Sequence, residues 1–166
     1  MDILLFNRIL GYFLLVSVVL LSSCSNPSSN NEKDVSTAQA TLESFFTLLA
    51  HGAYEQAAGL YEGDYEGLRS MNFAIPADDY ASLWKNGCTS NGYQCLEVKD
   101  VLKTSMDEQS IFHFIVEFKL SNGNLLVVGP CCGADATQMP PRSQFEFTVR
   151  RNNGVFLVQD LPVFVP

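Results

Sequence analysis

Apolar residues recur at two different periods along the chain, and the change of period divides it into a helical half and a sheet half. Leu42, Phe45, Phe46 and Leu49 follow the i, i+3, i+4, i+7 spacing of one helix face. Ser36 with Gln39 three residues later has the form of a capping box at the start of that helix, and Gly52 suits the left-handed residue just past its end. Tyr54, Ala57, Ala58 and Tyr61 repeat the spacing on a second, short helix. The run from Glu62 to Phe73 is acidic, interrupted by Gly63 and Gly67, and is expected to be irregular. Asp78 and Asp79 suit a helix amino terminus. Tyr80, Leu83 and Trp84 then form a third stripe, which Asn86-Gly87 is expected to stop.

From Cys95 onward the period becomes 2. Leu96, Val98, Asp100 and Leu102 fall on one side of a strand, with Glu97, Lys99 and Lys103 on the other. Phe112, Phe114, Val116, Phe118 and Leu120 alternate with His113, Glu117 and Lys119. Asn122-Gly123-Asn124 predicts a turn, and Leu125 to Val128 a returning strand. Phe145, Phe147 and Val149 lead through Asn152-Asn153-Gly154 into a last strand from Val155 to Leu161. These connections are too short for crossovers, so the strands pair antiparallel.

A sheet with a row of phenylalanines on one face and three helices with apolar stripes have one simple packing. The predicted class is α+β, with amino-terminal helices on one face of a curved antiparallel sheet. Helices followed by a strand meander over 36–166 resemble the nuclear transport factor 2-like (cystatin-like cone) superfamily. The text YEQAAGLYEGDYEGL (54–68) is similar to small bacterial lipoproteins of that class that carry no assigned activity. The resemblance implies a cone whose interior lies between sheet and helices. Enzymes of the superfamily, the ketosteroid isomerases and scytalone dehydratases, place an Asp, His or Tyr in that interior.

Composition adds a compartment. From Ile9 to Leu21 the chain is mostly apolar after a single base, Arg8. That run is shorter than the roughly 20 residues of a transmembrane helix and within the range of a secretory signal. Leu21-Ser22-Ser23-Cys24 resembles the lipobox of bacterial lipoproteins, which implies removal of residues 1–23 and a diacylglyceryl and palmitate-type anchor on the Cys24 sulfur. The polar stretch 25–35, SNPSSNNEKDV, then reads as a disordered tether. The expected location is the bacterial cell envelope, outside the cytoplasm, at the outer membrane if the envelope has one. A formal charge of −8, with no basic cluster longer than Arg150-Arg151, excludes nucleic acid as a favoured partner.

In an exported chain the other four cysteines, Cys88, Cys95, Cys131 and Cys132, are expected to form disulfides rather than a thiolate metal site. A direct Cys131–Cys132 bond closes a strained eight-membered ring. With Cys88–Cys95 set aside as well, both bonds are expected to cross between the 88–95 loop and the loop Gly129-Pro130-Cys131-Cys132-Gly133. His51, in the last turn of a helix, and His113, opposite the phenylalanine row, fit ordinary surface positions.

For chemistry, Asp100 is the one acid in phase with an apolar strand face. Buried in the cone it could act as a general base, whereas a bulge would turn it to solvent. Tyr54, Tyr61, Trp84 and Phe114 are the candidate pocket residues, with core packing as their plainer role. No nucleophile elbow, phosphate loop or paired-histidine motif occurs, and no cofactor is implied. Two functions are thus expected. The first is a non-catalytic binding module for a small apolar molecule or an envelope protein, held at the membrane through Cys24. The second is an isomerase or dehydratase using Asp100.

Overall fold

The computed structural model describes residues 27–107, 109 and 111–166. Cys24 and the signal-like segment lie outside them. Helices α1 (Pro27–Ala50), α2 (Tyr54–Ala58), α3 (Glu66–Met71) and α4 (Tyr80–Thr89) precede strands β1 (Glu97–Met106), β2 (Ile111–Lys119), β3 (Phe145–Asn152) and β4 (Val155–Val158). The strands form one antiparallel sheet in the order β1-β2-β3-β4, a meander. The α+β class and the packing of helices on one face of a curved sheet are as the two periods predict.

The longest helix starts earlier than Ser36. It runs from Pro27, so 27–35 is helical and not a free tether. Ser36 lies inside it and donates its hydroxyl to Lys33 O, the back-bond of a mid-helix serine. The order Asn26-Pro27 is a start signal of its own, because proline at the first helical position needs no hydrogen-bond donor. The apolar stripe also begins a turn earlier, at Val35 and Ala38, and Asp34 accepts from the Arg151 guanidinium of β3 at 2.7 Å. At the far end the helix closes as expected. Gly52 has φ +74°, Ala53 N–H reaches back to Leu48 O and Gly52 N–H to Leu49 O.

Three further boundaries differ. Residues 66–71 make the short helix α3, started by Asp64, whose carboxylate accepts from Glu66 N–H. Leu68 on α3 is fully buried and occupies the space that a side chain at Gly87 would need: a Cβ there would lie 2.5 Å from Leu68 Cδ2. Gly87 therefore gives close packing inside α4 and does not end it. Residues 125–128 make single bridges, Leu125 to Lys119 and Val128 to Arg142, and not a full strand.

The core is mainly aromatic. Phe46 on α1 packs edge-on to Phe118 of β2 and Phe147 of β3, with ring centres 4.7 and 4.9 Å away. Phe45 beside it meets Tyr61 and Trp84 at 5.8 and 5.5 Å. The seam therefore joins both halves of the chain through one helix turn. Truncating a fully buried phenylalanine costs about 3–5 kcal/mol through lost transfer energy and the cavity left behind. Phe46→Ala is expected to lower unfolding free energy by about that much in urea titration; a loss below about 1 kcal/mol would show that the helix–sheet seam is not the main support of the fold.

Candidate functional site

The cone interior is where the sequence places both a pocket and a base, and the structure fills it with side chains. Trp84 and Phe114 have no exposed surface, and Tyr61 is buried. Tyr61 and Trp84 are in direct contact, with ring centres 5.1 Å apart, and Tyr65 packs edge-on to both. The Trp84 indole N–H donates to the Tyr65 hydroxyl at 3.2 Å, and the Tyr61 hydroxyl donates to Asp64 O at 2.9 Å. Tyr54 is half-buried at the margin of the same cluster. Three of the four pocket candidates, Tyr61, Trp84 and Phe114, are therefore core residues, and the polar atoms of Tyr61 and Trp84 are satisfied by neighbours.

Asp100 does not enter this interior. The β1–β2 register shifts between Val98 and Asp100 and again between Val101 and Lys103. These irregularities break the two-residue alternation, so Asp100 and Leu102 lose phase with Leu96 and Val98. The Asp100 side chain is 52% exposed and its carboxylate pairs with Lys99 Nζ at 2.8 Å. A base inside the cone needs burial, and Asp100 lies on the exposed side of β1.

The cysteine pairing also differs from expectation. Cys88, near the end of α4, is bonded to Cys95, just before β1. Their Cα atoms are 5.3 Å apart, inside the usual range for a disulfide. The continuation of α4 to Thr89 and the turn at Ser90 to Tyr93 bring the two together, which the early helix stop expected at Asn86-Gly87 conceals. Cys131 and Cys132 are free, so no disulfide crosses to their loop. The Cys88–Cys95 bond also removes any four-thiolate metal site. Among the described residues no three His, Cys, Asp or Glu side chains are grouped to hold a metal ion.

The histidines sit at the surface beside carboxylates. His51 Nδ1 lies 2.8 Å from Thr47 O and its Nε2 3.6 Å from Glu97, whose carboxyl is held below the usual range chiefly by the Lys119 ammonium. His113 faces away from the phenylalanine row, between Asp107 at 3.6 Å and Glu146 at 3.2 Å. The Asp107 carboxyl is lowered mainly by the Ile111 N–H that it accepts across the β1–β2 turn.

What the sequence does not reveal is an open cleft of about 540 Å³ beside β3. Arg142, Gln144 and Glu146 line one wall, and Leu161, Val163 and Phe164 the other. It arises because β4 is short. β4 pairs with β3 from Val155 to Val158, then Gln159 N–H bonds Thr148 O and the Asp160 carboxylate accepts from Thr148 N–H and its hydroxyl. Past Asp160 the chain turns away to bond across to Gly92 and Gln94. Backbone direction alternates along a strand, so Glu146 aims its N–H and C=O groups the same way as Thr148, into the cleft. Pro162 and Pro166, which have no N–H to give a ladder, are the sequence signal for this departure.

No protein-family model matches this chain, and no curated protein shows significant similarity to it.

The buried hydroxyls give the domain a measurable pH response. Burial raises the phenols of Tyr61, Tyr65 and Tyr93 above their ordinary value near 10, Tyr61 most strongly. Unfolded tyrosines ionise near that value while the folded ones stay protonated. Their stabilisation is thus complete below about pH 10 and is lost as pH rises toward the folded values. Unfolding free energy is expected to fall above about pH 10, and Tyr61→Phe to make that fall shallower by up to about 1.4 kcal/mol per pH unit. An unchanged slope in the variant would show that Tyr61 is not held protonated by the fold.

Proposed function

We propose that the chain is a lipid-anchored protein of the bacterial envelope whose domain is a non-catalytic binding module for a protein partner. The anchor rests on the lipobox-like Leu21-Ser22-Ser23-Cys24 and the apolar run before it. The choice of a protein over a small apolar molecule rests on one observation: the interior is occupied by Phe45, Phe46, Tyr61 and Trp84, while the cleft beside β3 is open. Ligand sites are commonly concave and largely preformed, and the aromatic seam leaves the cone no such shape.

The β3 edge is the one that invites pairing. The free edge of β1 carries Lys99 and Lys103 and two register breaks, which are the usual guards against strand addition. β4 is covered by Leu60 to Glu62, whose backbone bonds both sides of Val158. At Glu146 the backbone is presented beside apolar Leu161, Val163 and Phe164, the last 46% exposed. An extended segment of a partner fits there by adding to the sheet, its backbone to Glu146 and its apolar side chains to Phe164. α1, beginning three residues after Cys24, holds the domain close to the membrane.

A photo-crosslinking residue at position 146 of the lipidated chain in intact cells tests this. It should give one discrete protein adduct that is lost with Phe164→Ser, while the same probe at position 100 gives none. In parallel, Cys24→Ala should lose fatty-acid labelling and membrane retention. Equal adducts at both positions, or an apolar small molecule recovered at one equivalent from the purified protein, would contradict the partner reading; normal labelling of Cys24→Ala would contradict the anchor.

A further inference from the structure

The two free cysteines among the described residues lie outside the core, the cleft and the ion pairs, and their geometry is specific. Cys131 and Cys132 are consecutive, with sulfur atoms 3.1 Å apart. Cys132 has φ +60° and Gly133 φ +90°, and Ala134 N–H bonds Cys131 O at 3.0 Å. Two successive left-handed residues closed by that bond form a tight turn of the type I′ kind, which holds both thiols at one corner. The left-handed region is uncommon for a residue with a side chain, so the surrounding loop enforces it. Pro130 fixes the chain on one side. On the other, Asp135 accepts from Thr137 and Gln138 N–H, and the Val128–Arg142 bridge closes the loop at its base.

We propose that Cys131-Cys132 is a thiol–disulfide exchange site that closes reversibly into a vicinal disulfide, with low-molecular-weight disulfides as oxidant and small thiols as reductant. Cys132 is the exposed sulfur and meets the reagent first. Its thiolate attacks one sulfur of the small disulfide, forming a mixed disulfide and releasing one thiolate. Cys131 then attacks the Cys132 sulfur, which forms the Cys131–Cys132 bond and expels the second thiolate. The sum is one dithiol and one small disulfide converted to one vicinal disulfide and two small thiols.

Ring closure brings the sulfurs from 3.1 Å to about 2.05 Å, a short movement within a turn that already aligns them. The ring is strained, since adjacent Cα atoms are about 3.8 Å apart across a trans peptide and disulfides usually span about 4.4–6.8 Å. Strained, exposed disulfides are the readily reduced ones, so the site cycles, whereas Cys88–Cys95 stays closed. The hydrogen bond between the two thiols pushes the Cys131 thiol up, consistent with Cys131 acting second. Thiol-poor surroundings do not favour metal capture here, because only two sulfurs converge.

The test equilibrates the full chain carrying Cys24→Ser, which removes the remaining thiol, with mixtures of oxidised and reduced glutathione, traps thiols by alkylation, and reads intact mass and peptide maps. This chain should lose both alkylation tags at the oxidising end, with residues 131 and 132 linked and no glutathione retained, and regain both tags at the reducing end. With Cys131→Ser added it should instead accumulate one glutathione on Cys132, because no resolving sulfur remains. A chain with both cysteines that keeps glutathione on either one, links into dimers, or keeps both tags at every ratio would overturn the proposal. A Cys88–Cys95 pair intact throughout shows that exchange is confined to the 131–132 turn.

Discussion

Packing of one turn of α1 against both the sheet and the short helices is the constraint on which the rest of this domain depends. Phe45 and Phe46 are neighbours in sequence and point to different partners: Phe46 to Phe118 and Phe147, Phe45 to Tyr61 and Trp84. A helix places consecutive side chains about 100° apart, so only a helix lying along the trough of a curved sheet can serve both sets. The arrangement uses aromatic edges against aromatic faces, which fixes ring orientation as well as burial. Tyr65 then meets Trp84 through a hydrogen bond, so that the single indole is closed off on every side.

This filling of the trough decides what kind of site the domain can offer. A cone-like layout with room between helices and sheet suits an enzyme, but here the same space is a solid core. The open space lies at the periphery, where β4 stops short and leaves the backbone of Glu146 facing a cleft. The cleft and the core share their cause, because the carboxyl-terminal segment leaves β3 in order to cover Tyr93. Phe164 packs edge-on to Tyr93 at 5.4 Å, and Val165 N–H bonds Gly92 O. The redox-active pair proposed at Cys131-Cys132 occupies another irregular segment, the loop that replaces a strand between β2 and β3.

Much of this is legible in residue order. The alternation Phe112-Phe114-Val116-Phe118 and the turn Asn152-Asn153-Gly154 place β2, β3 and β4, because period and turn chemistry are local properties. Local pattern misleads where tertiary contacts override it. Gly87 reads as a helix stop but is a contact point for Leu68, and Asp100 keeps phase on paper only because bulges do not show in the sequence. The Cys88–Cys95 bond is hidden for the same reason, since a helix ended at Gly87 keeps the two sulfurs apart. Ser36 resembles a cap because capping residues recur in the polar run before it, and Pro27 is the better marker. The β3 cleft has no positive signal at all beyond Pro162 and Pro166, since an unpaired edge is defined by the strand that is missing.

The space between helices and sheet is occupied by the protein's own aromatic side chains, and the choice of the β3 cleft over an interior site follows from that occupancy. Trp84 is the only tryptophan in the chain and lies at the centre of that space, which makes it a direct reporter. Its fluorescence is expected to be blue-shifted, almost unquenched by acrylamide, and unchanged on adding apolar ligands such as sterols or fatty acids. Emission at the wavelength of a solvated indole, strong quenching, or a saturable change with an apolar ligand would contradict a filled interior.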